Sequence, residues 1–372
     1  MNIGIIGCGN ISSTYLRLAP LFKGLDVVAC ADINAEAART QAQEYGCQAM
    51  SIDDMLSAAS IELIINLTIP AAHAQVSTRI LQSGKHVYSE KPYVLSLPEG
   101  QALHELAQKQ GKRIGSAPDT FLGGAHQQAR QLIDGGQIGK VIGGTCFFMN
   151  RGMESWHPNP DFFYQPGGGP MLDMGPYYVS NLVQLIGPVK RLMSMTSTPS
   201  KTRTITSEPR AGETLTVGTP TSVSTLLEFH SGAMITLGMS WDVQRHEHNL
   251  IELYGTSGTI FVPDPNFFGG DLRVATHESE RLITDEHAFS VPNDEKDDGE
   301  LRANYRGAGL ADMVSAIEQG RQHRCNDSLA LHVVDIMTSA LRSGETNQAV
   351  DLQTTCERPE ALDSNSAQAL LV

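Results

Sequence analysis

The sequence predicts an α/β fold in two parts: a doubly wound parallel sheet first, then an α/β domain with a large, mostly antiparallel open sheet. Three observations carry this expectation. The chain opens on a short apolar run ending in glycines; apolar runs and helical periods alternate to about residue 120; beyond it, apolar runs joined by short turns take over. The length agrees, since 372 residues exceed what one core usually holds, about 100–200 residues per domain. We expect a first domain over 1–120 and a second over 121–372, with a last segment that can return to the first.

"NIGIIG" is short and glycine-bounded, as suits a strand buried on both faces of a parallel sheet. It runs into "GCGNIS", where Gly7 permits a tight turn, Gly9 lets backbone approach a pyrophosphate, and Ser12 stands where a third small residue is expected. A helix opening near Asn10 and Ile11 aims free N–H groups and a positive dipole end at that phosphate, the pattern of a Rossmann dinucleotide fold. The second strand, "LDVVACAD", ends in Asp32, 23 residues after Gly9. That is close to the roughly 20-residue offset at which an acid meets the adenosine ribose. Asp32 repels a 2′-phosphate and no arginine follows in Ile33-Asn34, so NAD is expected over NADP. Read alone, Asp32 is also an ordinary solvated acid at a strand end.

The alternation continues through "ELIINLT", a helix over "AAHAQVSTRILQSG", the strand "KHVYSE", a helix closed by Gly111, and "RIGSAP". Ligands of such sheets bind at the carboxyl ends of the strands. Thr68, Pro70, His73, Glu90 and Lys91 are therefore expected around the cofactor, and Asp119 beside the substrate.

After residue 120 the strand candidates are "VIGGTCFFM", "VKRLMSMTS", "SVSTLLEFHSGAMITLGMSW", "NLIELYGTSGTIFV" and "DLRVAT", with hairpin turns at Ser231-Gly232 and at 256–258. Helices near 124–135, 172–186, 308–320 and 329–342 should cover one face of the sheet, leaving the other for a homodimer or homotetramer contact. In the second of these, Asp173, Tyr177, Asn181 and Gln184 form a polar stripe, and Pro176, tolerated only in a first turn, places Asp173 near the helix start. An N-cap role for Asp173 explains it equally well at this point. Trp156 and His157 sit in an aromatic loop suited to stacking on a sugar or to packing between domains.

Composition narrows the function. A formal charge of −14 without a basic stripe argues against nucleic acid. Six scattered cysteines without a C-x-x-C pair, no signal-like N-terminus and no membrane-length apolar run point to a reduced, cytoplasmic protein that does not engage a membrane. "HEH" at 246–248 lacks a third ligand, so no metal is expected. The polar stretch 291–307 reads as a solvated loop.

"GIIGCGNIS", Glu90-Lys91-Pro92 after a strand, and "GGGPMLDMGPYY" together resemble the Gfo/Idh/MocA oxidoreductases, named for glucose-fructose oxidoreductase and inositol dehydrogenase. The resemblance spans most of the chain. It implies an NAD(P)-dependent oxidoreductase acting on a secondary alcohol or hemiacetal carbon of a sugar, sugar derivative or cyclitol. By motif, Lys91 is the E-K-P lysine, Asp173 the acid of D-x-G-x-H, and Tyr177 stands in place of the usual histidine. These three are the expected catalytic residues, and with Asp119, Trp156 and His157 the expected substrate contacts. "GSAPDTFLGGAHQ" departs from the arginine-containing segment of many relatives, so the inositol enzymes do not predict the substrate. A phenol with a free pKa near ~10 is a poor base, and an ammonium beside it favours the phenolate. The same resemblance covers two alternatives: a non-catalytic NAD-binding sugar sensor, and an aldose oxidoreductase whose cofactor stays bound.

Overall fold

The computed structural model describes residues 1–284, 286–295 and 299–372. The first unit runs β1 (Asn2–Ile6), α1 (Asn10–Leu18), β2 (Asp26–Ala31), α2 (Ala35–Tyr45), β3 (Gln48–Ala49), α3 (Ile52–Ser57), β4 (Leu63–Asn66), α4 (His73–Gln82), β5 (His86–Ser89), α5 (Leu97–Gln110) and β6 (Ile114–Ser116). All six strands are parallel in the order β3-β2-β1-β4-β5-β6. Helices cover both faces, so β1 and β4 are almost wholly buried and read as continuous apolar runs. The order reverses between β1 and β4, and the loops at their carboxyl ends frame the crevice where such sheets bind ligands.

The second unit contains α6 (Gly124–Asp134), β7 (Val141–Met149), α7 (Pro170–Asp173), α8 (Gly175–Ile186), β8 (Val189–Ser197), β9 (Thr202–Thr204), β10 (Thr214–Thr216), β11 (Ser222–Phe229), β12 (Met234–Ser240), β13 (Ile251–Gly255), β14 (Thr259–Val262), β15 (Leu272–Ala275) and β16 (Glu280–Ile283). It ends with β17 (Asp294–Glu295), β18 (Leu301–Arg302), α9 (Ala308–Gln319), α10 (Asp327–Thr346), β19 (Val350–Asp351) and α11 (Ser364–Leu370). Nine strands form one sheet, β16-β15-β14-β13-β7-β12-β11-β8-β19, antiparallel throughout except for β12 with β7. Both expected turns are present, between β11 and β12 and between β13 and β14.

The chain crosses back at its end. Leu371 bridges Phe22, and Lys23 N donates to Leu370 O at 2.9 Å, so the last residues lie on the first unit. The segment 291–307, expected to be a solvated loop, is tied down at Asp294 and Tyr305, while Val291 and Leu301 stay exposed. Asp294 pairs with Arg17 of α1 at 2.8 Å and with Arg302 at 3.1 Å, and Tyr305 is buried. A buried carboxylate needs such partners, and the two arginines supply them. Lys296, Asp297 and Asp298 of that stretch lie outside the described residues. No helix among the described residues is long and apolar enough to cross a membrane.

Candidate active site

The cofactor half is built from backbone. At Gly7, φ is +107°, and a Cβ would lie 2.5 Å from the carbonyl carbon of Leu67, so only glycine fits. Gly9 precedes α1 with no side-chain cap, and a Cβ there would meet nothing within 4 Å. The amides of Asn10 and Ile11 donate to nothing among the described residues, leaving the positive end of α1 bare over open space. Asp32 is fixed beside this loop by Cys8 N and Asn34 N, each 2.7 Å from one of its oxygens. Two held oxygens with spare lone pairs suit a ribose diol, and the cradle at Gly9 suits a pyrophosphate. The residues present therefore fit a dinucleotide.

Farther along the crevice, several expected contacts turn inward. His73 is fully buried, with its ring nitrogens 2.7 Å from Pro92 O and 2.9 Å from Thr68 O. It ties the loop after β4 to the turn holding Lys91, so it braces the crevice and has no nitrogen left for a cofactor. Glu90 is also buried, and it accepts from Tyr15 Oη at 2.9 Å, Lys91 N at 2.8 Å and Arg306 Nη1 at 3.3 Å. It positions the turn from behind. Asp119, expected at the substrate, has no exposed surface; its Oδ2 accepts from Gly307 N at 2.8 Å and Gly309 N at 3.1 Å at the start of α9. Burial raises its carboxyl above the usual range. Thr68 keeps its expected place at the carboxyl end of β4, its hydroxyl on Asn66 Oδ1 at 2.7 Å, and Pro70 follows in a short helical turn.

The two halves meet at Lys91. The Lys91-Pro92 peptide is cis. Across the interface, α7 ends at Asp173 and α8 starts at Gly175 with Pro176 in its first turn. Asp173 therefore caps neither helix, and its carboxylate is free to leave the helix axis. Lys91 Nζ donates to Asp173 O and to Asp173 Oδ1, both at 2.9 Å, and lies 5.1 Å from the centroid of the Tyr177 ring. Burial works against the ammonium, but Asp173, Tyr177 and Glu90 outweigh it and hold Lys91 above its ordinary range. Tyr177 is 5% exposed, and its hydroxyl makes no hydrogen bond among the described residues. The rest of the predicted stripe turns away: Asn181 and Gln184 are buried against α6, where Asn181 Nδ2 lies 3.2 Å from His126 Nδ1. The helix is covered on every side, so the period identified its polar residues without separating cleft from core.

Trp156 and His157 are not brought to this group. Trp156 is 62% exposed and meets His157 edge-on at 5.4 Å, and His157 packs on Phe162 and Phe163. The sequence reading missed Arg306, which arrives from the stretch taken for solvent. The one available signal was the return to small and apolar residues at Ala303, just before Tyr305-Arg306-Gly307 and α9. Elsewhere, His246 Nε2 lies 3.1 Å from Met149 O and His248 stacks on Phe147. Among the described residues no cluster of three or more His, Cys, Asp or Glu side chains could hold a metal ion.

Residues 1–117 match the family model described as "Oxidoreductase family, NAD-binding Rossmann fold", and residues 126–261 match that of the "GFO/IDH/MocA C-terminal domain". The chain belongs to the Gfo/Idh/MocA family. Among its relatives, inositol 2-dehydrogenase of Salmonella paratyphi B is 33% identical over 149 residues, 38% of this chain and 44% of that protein. The chain thus spans less than half the length of that relative. A dTDP-3,4-didehydro-2,6-dideoxy-alpha-D-glucose 3-reductase of Saccharopolyspora spinosa is 26% identical over 269 residues, covering 70% of this chain and 74% of that one. Apo levoglucosan dehydrogenase superposes with a TM-score of 0.81 at 20% identity, covering 96% of this chain and 99% of that one, which confirms the fold.

Proposed function

We propose that the protein is an NAD-dependent dehydrogenase or reductase that moves hydride between nicotinamide and a secondary alcohol or hemiacetal carbon of a sugar, sugar derivative or cyclitol. One observation carries the reading: the Lys91 ammonium of the first unit joins Asp173 and Tyr177 of the second, at 2.9 Å and 5.1 Å. Bound NAD supplies the hydride acceptor. In the oxidative direction the carbinol C–H leaves as hydride while the hydroxyl proton passes to a base, and a base must lie within hydrogen-bond reach of that oxygen.

Lys91 stays protonated, because its neighbours hold it above its ordinary range, so it is not that base. Two of its three N–H groups go to Asp173, which leaves one to donate to the substrate oxygen as charge develops there. Asp173 fixes the ammonium through backbone and carboxylate together, limiting its rotation. Tyr177, whose hydroxyl has no partner among the described residues, is the proton acceptor. Asp32 supports NAD over NADP, since a 2′-phosphate would meet its carboxylate.

The open face of the large sheet supports a homo-oligomer. Met193, Met195, Leu226 and Met234 stand exposed on the neighbouring strands β8, β11 and β12, and exposed apolar side chains grouped in this way mark protein contacts. The function is tested by following NADH absorbance with NAD⁺ and NADP⁺ across a panel of aldoses, polyols and cyclitols. NAD-linked turnover that Lys91→Met lowers by roughly 10²-fold or more is the expected result. Silence across the panel, or full activity in the variant, would overturn the reading.

A further inference from the structure

Lys91 is held at both ends of its side chain. The tip donates to Asp173 of the second unit, and the base sits in a turn that the first unit fixes from two directions. On one side Glu90 accepts from Lys91 N at 2.8 Å and from Tyr15 Oη of α1 at 2.9 Å. On the other, His73 Nδ1 lies 2.7 Å from Pro92 O, the carbonyl of the residue that follows Lys91. His73 opens α4, so it belongs to the connection that leaves β4 at the crevice. Its second nitrogen, 2.9 Å from Thr68 O, folds that connection back onto the helix start. Asn66 fastens the same connection: its Nδ2 donates to His73 O at 3.1 Å, and its Oδ1 accepts from the Thr68 hydroxyl at 2.7 Å. His73 and Asn66 have no exposed surface, so water does not compete for these contacts. Burial lowers the pKa of the His73 ring, and a neutral imidazole still carries one N–H, enough to hold the Pro92 carbonyl.

We propose that His73 is a positioning residue for Lys91: it joins the connection after β4, which borders the cofactor crevice, to the turn that carries the ammonium, so that the two keep one arrangement. The inference rests on the reading of Lys91 as the donor to the substrate oxygen. The length of the side chain makes the joint matter. Lys91 Nζ stands at the end of a flexible four-carbon stem, and Asp173 fixes only its tip. A turn free to shift would carry the third N–H away from the oxygen it serves, and a displacement near ~1 Å is enough to cost about 10²-fold in rate.

The test removes the joint with and without Lys91 present. His73→Phe keeps a ring and loses both nitrogens; His73→Gln keeps one donor and takes its place should the Phe form not fold. We expect kcat to fall about tenfold or more in His73→Phe, and by less in His73→Gln. In a Lys91→Met background the same substitutions should change kcat by less than about twofold, because the group they misplace is gone. An unchanged kcat, or equal losses in the two backgrounds, would overturn the inference and leave His73 a packing residue. The joint itself is read without turnover, by hydrogen–deuterium exchange of the amides in 66–72 and 89–94. Exchange faster by about tenfold or more in both segments of His73→Phe, with β1 and α5 unchanged, is the expected result. Loosening that is absent, confined to one segment or spread over the whole first unit overturns it. A wild type that turns over nothing sinks the proposed function, and the exchange pattern then decides whether His73 joins the two segments.

Discussion

Around Arg203 the second unit buries an ion cluster much like the one around Lys91, yet the two spend their polar groups differently. Arg203 pairs with Glu154 at 2.7 Å and with Asp242, and Tyr164 donates to Glu154 while its ring lies under the guanidinium. Thr221 and Ser222 complete Asp242 at 2.8 and 2.7 Å. Each carboxylate there has several donors, and the tyrosine hydroxyl is engaged. At the other cluster, among the described residues, the Tyr177 hydroxyl has no partner and the Arg306 guanidinium makes one hydrogen bond. Exposure does not separate them: side chains of Arg203 and Glu154 are 12% exposed, those of Lys91 and Asp173 18% and 16%. What differs is the tyrosine hydroxyl, donated to Glu154 in one cluster and unspent among the described residues in the other, although Arg203 itself leaves its buried Nε without a partner there.

The largest expected effect breaks the comparison on the stability side. Arg203→Met strands Glu154 and Asp242 inside the protein and should cost about 3–5 kcal/mol in denaturant unfolding. Turnover per folded molecule should be almost unchanged. A loss under about 1 kcal/mol would mean the cluster is no staple. Next comes Lys91→Met, which should lower kcat by roughly 10²–10³-fold, the usual result of removing one charge-stabilising donor. Its unfolding free energy should fall less than that of Arg203→Met. If stability drops further than activity, the Lys91 cluster is structural and the distinction fails.

Acid offers a gentler probe, because it reaches the core before either cluster. Burial depresses His86, His126 and His332 from 6.5 to about 4. Their folded values lie below the unfolded one, so they cost nothing above pH 6.5, and stability is lost as pH falls from there toward 4. At about pH 5.5 each should cost ~1 kcal/mol, seen as a lower denaturant midpoint than at neutral pH. Lys91 keeps its charge throughout, and Asp294, held at about 2 by its partners against burial, stays ionised in that window. A midpoint that rises on acidification would show that these histidines take up protons in the folded state.

Much of this was legible because the first 120 residues obey local rules. Gly7 is forced by a positive φ and by the backbone of Leu67, so chain geometry writes it into the sequence. The turns of the large sheet and the E-K-P lysine were placed by pattern in the same way. The failures share a cause. His73, Glu90 and Asp119 were assigned to the crevice by position along the strands, but a strand's carboxyl end has an inner side too, and burial chose it for them. Arg306 was missed because the acceptor it meets, Glu90 after β5, lies 216 residues away along the chain, and no local pattern in 291–307 encodes that meeting. Composition counts charges; whether they are paired inside is decided by tertiary packing.

The smallest expected effect tests where the reactive cluster ends. Trp156 was expected to touch the sugar, yet it stands 62% exposed beside His157, with no contact to Lys91, Asp173 or Tyr177. On this placement Trp156→Ala should change stability by less than about 0.5 kcal/mol, as for a surface side chain. It should change kcat and KM by no more than about twofold, because a residue outside the site alters neither binding nor the transition state. A KM raised tenfold or more at constant kcat would mean that the loop folds over bound sugar and stacks on it. The boundary between reactive and inert polar groups would then have to be drawn around 150–168 as well, and the unspent tyrosine hydroxyl would no longer be enough to locate the site.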